Sequence, residues 1–136
     1  MSDSIDRLYA AVMAARTADS ATSRTARLLR AGRAKMAKKL AEEAVEVVID
    51  AMHGDNDAVV RESADLIYNL VVLWVSAGVH PQDVWDEMGR REKLMGIAEK
   101  IPKDASERDI IAKHTPATAR SRVVSLESRR GVRKRH

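Results

Sequence analysis

Residues 34–77 read AKMAKKLAEEAVEVVIDAMHGDNDAVVRESADLIYNLVVLWVSA, and the spacing of their apolar residues predicts two long helices. The first helix is expected over residues 34–52 and the second over residues 57–77. Between them, Gly54 suits the left-handed end of a helix, and the Asp-Asn pair that follows it can cap the next one. Because this connection is short, the two helices are expected to be antiparallel neighbours.

Three further helices are expected around this pair. Apolar residues at helical spacing, beginning with Ile5 and Leu8, predict a helix near the start of the chain. A short basic helix is expected around residues 25–30, and Pro81 suits the first turn of a last helix. The sequence contains no strand-like alternation of apolar and polar residues. The predicted fold class is therefore all-α, a helical bundle of four to five helices.

The composition fits one helical domain and excludes cysteine chemistry. The chain has 136 residues, of which 45% are hydrophobic and 32% charged, enough for one modest core. Aromatic residues make up only 3% and Phe is absent, so aliphatic side chains must build that core. There is no Cys, which excludes disulfides, a cysteine nucleophile and a thiolate metal site.

The charge of the chain changes near residue 100. Residues 1–100 carry 14 basic and 16 acidic side chains, whereas residues 101–136 carry 10 basic and 4 acidic ones. We therefore expect a folded domain over residues 1–100 and a basic, flexible C-terminal extension over residues 101–136. The start has no secretory signal pattern, and the longest apolar stretch is shorter than the ~20 residues of a membrane span. A cytoplasmic protein without a membrane partner is expected.

Acidic residues collect on one sector of the first long helix. Glu42, Glu43, Glu46 and Asp50 share this sector, and residues three or four apart on a helix are neighbours. The remaining apolar arc is so wide that the helix must be covered by more than one neighbour. Taken alone, the acidic sector is typical of an ordinary solvated helix face.

The second helix offers an alternative explanation for these acids. Glu62, Asp65 and Asn69 lie on one narrow polar stripe of a helix that is otherwise almost entirely apolar. A helix of this kind is expected to be buried, and a buried carboxylate needs a cation. That cation is either a nearby basic side chain or a divalent metal shared with Glu43 and Glu46. All-oxygen ligation suits Mg²⁺ or Mn²⁺; the residues alone leave both alternatives open.

The two acidic groups together have a recognisable spacing. Glutamates in the pattern EE-x-x-E occupy residues 42–46, and E-x-x-D occupies residues 62–65. This resembles the EExxE…ExxD signature of the MazG-like all-α NTP pyrophosphatases. The surrounding text, including SRTARLLRAG and ESADLIYNLVVLWVSAGV, resembles the phosphoribosyl-ATP pyrophosphatase family over about residues 5–100. Asn69 stands where that family usually has His, and Ala41 where it usually has Gly.

The resemblance implies an activity and a set of site residues. It implies Mg²⁺-dependent hydrolysis of phosphoribosyl-ATP to phosphoribosyl-AMP and pyrophosphate, the second step of histidine biosynthesis, with Mn²⁺ as a possible substitute. The implied metal ligands are Glu43, Glu46, Glu62 and Asp65. Glu42 is then a further ligand through water, or a base that orients the attacking water. A MazG-like bundle completed by homodimerisation, as a homodimer or a dimer of dimers, is also implied.

Basic residues near the first acidic group are candidates for binding the triphosphate. The substrate-binding candidates are Arg24, Arg27, Lys35, Lys38 and Asn69. Lys39 is the strongest basic candidate for a catalytic role because it lies one turn before Glu43. Its alternative role is an ion pair with that glutamate, and ordinary surface charge is the alternative for each of the other basic residues.

Two other functions fit the sequence. The chain can be a house-cleaning (d)NTP pyrophosphatase or a divergent paralogue of the same superfamily, which Asn69 favours. It can also be a non-enzymatic helical protein that binds nucleic acid through RRGVRKR at residues 129–135. Nucleic-acid binding is disfavoured because the basic extension has no aromatic residue for base stacking.

Overall fold

The computed structural model describes residues 2–96 of the chain, with side chains described from Ser4 onward. In this part of the chain there are five helices and no strand, which confirms the all-α prediction. The helices are α1 (Ser2–Ala15), α2 (Arg24–Ala31), α3 (Arg33–His53), α4 (Asn56–Ala77) and α5 (Pro81–Met95). None of them is long and apolar enough to cross a membrane. The basic extension expected over residues 101–136 lies outside the described residues.

The α3–α4 hairpin has the turn that the sequence predicted. Gly54 follows α3 with a left-handed φ of 76°, and its backbone N–H donates to the carbonyl of Ala51. The side chain of Asp55 then accepts a hydrogen bond of 2.9 Å from the backbone N–H of Ala58 and caps α4. A glycine and an acidic cap on adjacent residues therefore reverse the chain without any intervening loop.

The hydrophobic core lies where α1, α2, α3 and α4 meet. Val71 and Val72 of α4 are fully buried, and Val12 of α1 and Met36 of α3 pack with them. Leu28 brings α2 into the same cluster. Aliphatic side chains and a methionine thus form the buried centre, as the scarcity of aromatic residues predicted.

The C-terminal half of α3 carries an apolar face that the described residues leave exposed. This exposed face consists of Val45, Val48, Ile49 and Met52, whose exposed fractions are 55%, 61%, 47% and 82%. Those positions follow the spacing of a helix stripe that packs against another helix. The sequence predicted more than one covering neighbour for α3, and within residues 2–96 the helix packs against both α4 and α2, which still leave this face exposed.

The chain divides after Trp85 into two units, and residues 86–96 are the described part of the second. Within these residues, Glu87 accepts hydrogen bonds of 2.8 Å from the Nε atoms of Arg90 and Arg91. The hydrogen bonds from Arg90 and Arg91 lower the pKa of Glu87 to about 2. The side chains of this segment are therefore held together by ion pairs along the helix surface.

Candidate active site

Carboxylates from α3 and α4 converge at the surface of the hairpin. One carboxylate oxygen from each of Glu43, Glu62 and Asp65 lies within 4.8 Å of the others. Glu43 and Glu62 are half-buried, whereas Asp65 is exposed. The prediction that the α4 carboxylates are walled in by core residues is therefore wrong for Asp65. The fully buried residues of α4 gather further along the helix, around Val71 and Val72, and leave the acidic part of the stripe open to solvent.

Glu46 joins this group through Glu62. A hydrogen bond between the two carboxyl groups is the largest cause that raises the pKa of Glu62 above its ordinary value. Desolvation raises this pKa further, as do the negative charges of Glu46, Asp65 and Glu43. Glu43, Glu46, Glu62 and Asp65 therefore form one group of mutually repelling acids, the carboxylate cluster.

Glu42 lies outside the carboxylate cluster. Its carboxylate oxygens are 3.5 Å from the Nζ atom of Lys39 and 3.9 Å from that of Lys38. The sequence offered Glu43 as the alternative ion-pair partner of Lys39, and the structure gives that place to Glu42. Lys38 and Glu42 line a shallow groove beside the exposed face of α3, together with Glu46.

A pocket of about 230 Å³, the basic pocket, opens between α2, α3 and α4. Four cationic residues line it, and they are Arg24, Arg27, Lys35 and Lys39. Lys39 and Glu43 are one helical turn apart on α3, so the pocket adjoins the carboxylate cluster. Of the predicted substrate-binding residues, all except Lys38 line this pocket.

Asn69 connects the basic pocket to the carboxylate cluster along α4. Its side chain lines the pocket and is 5% exposed, the only buried polar side chain among the described residues. Its Nδ2 atom donates a hydrogen bond of 2.9 Å to the backbone carbonyl of Asp65, one turn earlier. This bond fixes the orientation of the amide, because a carbonyl can only accept and the amide nitrogen must face it.

Two further residues escaped the sequence predictions, one that lines the pocket and one hydrogen-bonded to it. Tyr68 lines the pocket, and its hydroxyl oxygen is 2.7 Å from that of Thr25 on α2. Each is adjacent in sequence to a predicted residue, Asn69 and Arg24 respectively. Helical periodicity places adjacent residues on different faces, so the predicted residues did not point to their neighbours. The hydrogen bond joins residues 43 positions apart, and the periodicity of a single helix carries no information about such a contact.

These features define a class of protein. An all-α fold that sets a carboxylate cluster beside a cation-lined pocket provides oxygen donors for a metal and positive charge for phosphate groups. That combination suits a hydrolase that acts on a phosphorylated substrate with the help of a metal ion.

The family within this class follows from comparison with known proteins. The family model for phosphoribosyl-ATP pyrophosphohydrolase matches residues 7–92, and the chain belongs to this family. The matched range contains the whole carboxylate cluster and every residue that lines the basic pocket. The family that the sequence resembled is thereby confirmed.

Several proteins similar to this chain are named phosphoribosyl-ATP pyrophosphatase. The chain is 65% identical over 136 residues to phosphoribosyl-ATP pyrophosphatase 2 of Bradyrhizobium diazoefficiens, covering 100% of both chains. It is 62% identical over 134 residues to the protein of that name from Rhodopseudomonas palustris, covering 98% of each. With phosphoribosyl-ATP pyrophosphatase of Azospirillum brasilense it shares 54% identity over 96 residues, 71% of this chain and 86% of the relative.

Proposed function

We propose that this chain hydrolyses phosphoribosyl-ATP to phosphoribosyl-AMP and pyrophosphate in the cytoplasm, as a step of histidine biosynthesis. The observation that carries the proposal is the position of the carboxylate cluster one helical turn from the basic pocket. The names of the relatives give the substrate, because the chain aligns with two of them over almost its full length. A polyphosphate that extends from the cluster into the pocket meets oxygen donors at one end and cations at the other.

The carboxylate cluster fits Mg²⁺. Three of its members approach within 4.8 Å of one another and offer only oxygen donors, which suits Mg²⁺ or Mn²⁺ and not Zn²⁺. The raised pKa of Glu62 marks an excess of negative charge that a divalent cation would neutralise. Glu43, Glu46, Glu62 and Asp65 would hold the ion. Mg²⁺ bound there would supply positive charge that stabilises the negative charge of the phosphate oxygens.

The basic pocket contributes phosphate binding and charge stabilisation. Arg24 and Arg27 reach it from α2, and Lys35 and Lys39 reach it from α3. Their donors bind the oxygens of the triphosphate by charge-assisted hydrogen bonds. Because the triphosphate is negatively charged before and during the reaction, these cations bind the substrate and the transition state alike.

We assign to Glu42 the role of orienting the water molecule that attacks the substrate. Its carboxylate is exposed and pairs with Lys38 and Lys39, so it is outside the carboxylate cluster but next to a residue of the basic pocket. Exposed ion pairs of this kind contribute at most about 1 kcal/mol to stability. Glu42 can therefore leave a lysine and bind the attacking water at little cost in free energy. In this role Glu42 accepts a proton from the water that attacks the α-phosphorus.

The active form is proposed to be a homodimer or a dimer of dimers. The exposed face of α3 has the apolar spacing of a helix–helix contact, and Met52 is 82% exposed on it. The groove lined by Lys38, Glu42 and Glu46 borders this face. A second copy packed there would bury the apolar residues and cover the groove that Glu46 lines.

The decisive experiment measures pyrophosphate release from phosphoribosyl-ATP with Mg²⁺ and with a chelator in its place. Release should require the metal, and phosphoribosyl-ATP should be turned over with a higher kcat/KM than dUTP or dCTP. Asn69, where the family usually has His, favours the alternative of a house-cleaning nucleotide pyrophosphatase. An equal or higher kcat/KM with dUTP or dCTP would establish that alternative instead.

A further inference from the structure

The short helix α2 carries half of the positive charge in the basic pocket. It has only eight residues, and isolated helices shorter than ~12 residues are marginal in water. The position of α2 therefore depends on contacts with the rest of the fold. Arg24 and Arg27 reach the pocket from this helix, so the accuracy of phosphate binding depends on those same contacts.

Most hydrogen bonds of α2 tie it to its own neighbouring segment. Ser23 caps its first turn through the backbone N–H of Ala26 at 3.1 Å. Arg30 donates a hydrogen bond of 2.7 Å to the carbonyl of Ala18, and Arg27 donates one of 3.4 Å to that of Ser20. These bonds shape the segment that leads into α2, but they do not fix its distance from α4.

The hydrogen bond between Thr25 and Tyr68 does join α2 to α4. The two hydroxyl oxygens are 2.7 Å apart and both side chains are half-buried, so water competes weakly for either partner. Thr25 follows Arg24 directly in the chain, so a displacement of Thr25 also displaces Arg24. Tyr68 itself precedes Asn69, whose amide is held by the backbone of the carboxylate cluster.

We propose that Tyr68 is a positioning residue that acts through Thr25 to hold Arg24 and Arg27 against the phosphates of a nucleotide substrate. The proposal rests on the proposed function, because it places phosphate in the basic pocket. Without the hydrogen bond, α2 moves more freely relative to α4, and the two arginines spend less time at the phosphate oxygens. Binding of substrate and transition state then weakens equally, which raises KM and leaves kcat nearly unchanged.

The test compares Tyr68→Phe, Thr25→Val, Thr25→Ser and the double variant Tyr68→Phe/Thr25→Val with the wild type. Each of the first two should raise KM by about three- to tenfold, the effect of one hydrogen bond. Thr25→Ser keeps the hydroxyl and should behave like the wild type. The double variant should be no worse than either single one, because both remove the same bond.

Tyr9→Phe is the matched control. It removes another tyrosine hydroxyl from a hydrogen bond, the 3.2 Å contact with Nδ1 of His80, away from the basic pocket. Its KM should equal that of the wild type. Circular dichroism and the Tm of every variant verify that the fold is retained.

Three results would overturn the proposal. A normal KM in Thr25→Val would show that Tyr68 contacts substrate directly, because Thr25 does not line the pocket. If the increase in KM in the double variant equals the product of the two single increases, Tyr68 and Thr25 act independently and not through a shared hydrogen bond. A lower Tm with an unchanged KM would show a purely structural role. If the wild type does not hydrolyse phosphoribosyl-ATP, the proposed function fails, and the affinity of the same variants for inorganic pyrophosphate then decides the positioning role alone.

Discussion

Glu62 shows how a single residue couples the stability of the fold to the charge of the carboxylate cluster. Its pKa is raised above the ordinary value of 4.5 in the folded chain, chiefly by the hydrogen bond with Glu46. The folded chain then binds more protons than the unfolded chain between pH 4.5 and the raised pKa. The free energy of unfolding of the metal-free protein therefore decreases as pH rises through that interval.

The corresponding prediction concerns Glu62→Gln. The variant should have a higher Tm than the metal-free wild type at neutral pH, because the repulsion is removed, and Mg²⁺ should no longer raise its Tm. Thermal unfolding at several pH values, with and without Mg²⁺, measures both effects. Glu42→Gln, outside the carboxylate cluster, should keep the Mg²⁺ response. A Mg²⁺ response that survives in Glu62→Gln would contradict the assignment of this ligand.

Glu46→Gln and Asp65→Asn should each abolish turnover. Removing a direct ligand is expected to exceed the about 10- to 100-fold loss that is typical of outer-shell partners of a metal. Pyrophosphate release measures the loss, and circular dichroism should show unchanged helicity because both side chains are exposed. Asp57→Asn, on the first turn of α4, is a matched control that should retain activity. Full activity in either site variant would remove that residue from the site.

Individual side chains were predictable where one helix determines their neighbours. The spacing of Glu62 and Asp65 on α4 was enough to place them side by side, and Glu43 followed from the short turn between the helices. Contacts across helices were not predictable in the same way. The ion pair of Lys39 with Glu42 depends on rotamers, and the bond of Thr25 to Tyr68 depends on how α2 docks.

At the level of elements, the cap between α3 and α4 fixes the hairpin that carries the site. Asp55→Ala removes the hydrogen bond to the backbone N–H of Ala58 and should destabilise the protein by about 1 kcal/mol. Chemical denaturation measures the change. Asn56→Ala changes the next residue without removing a cap and should have a smaller effect. Equal losses in both variants would mean that the side chain of Asp55 contributes nothing specific.

The helices themselves were predicted closely because their ends carry strong local signals. The expected segments 34–52 and 57–77 became α3 (Arg33–His53) and α4 (Asn56–Ala77), with Gly54 and Asp55 at the junction. The coverage of α3 was not predictable from local pattern. A wide apolar arc predicts how much of the helix surface is buried. It does not predict whether the same chain or a second chain covers that surface.

For the whole molecule, the exposed face of α3 leads to a prediction about assembly. Val48 is 61% exposed in the centre of this face, and Val48→Asp should convert a homodimer to a monomer with reduced activity. Light scattering coupled to size-exclusion chromatography measures the mass. Ala10→Asp, an exposed change on α1, should leave the dimer intact. A dimer that persists in Val48→Asp would place the interface elsewhere.

The organisation of the chain leads to a second prediction at this scale. The family match ends at residue 92, and the carboxylate cluster and basic pocket both lie before it. Deleting residues 102–136 should therefore leave the hydrolysis of phosphoribosyl-ATP intact. Steady-state kinetics of the shortened chain measure this directly. A loss of activity would show that the proposed boundary near residue 100 is wrong.

The hairpin of α3 and α4 also bears on how the molecule reaches its folded state. All four acidic groups of the cluster come from residues 43–65, a stretch closed by one capped reversal of the chain. The entropy lost in bringing the ends of so short a stretch together is small, and contacts of low sequence separation form early in folding. We expect the acidic groups to assemble before α1 and α2 dock, so that a divalent cation bound to them would also favour folding.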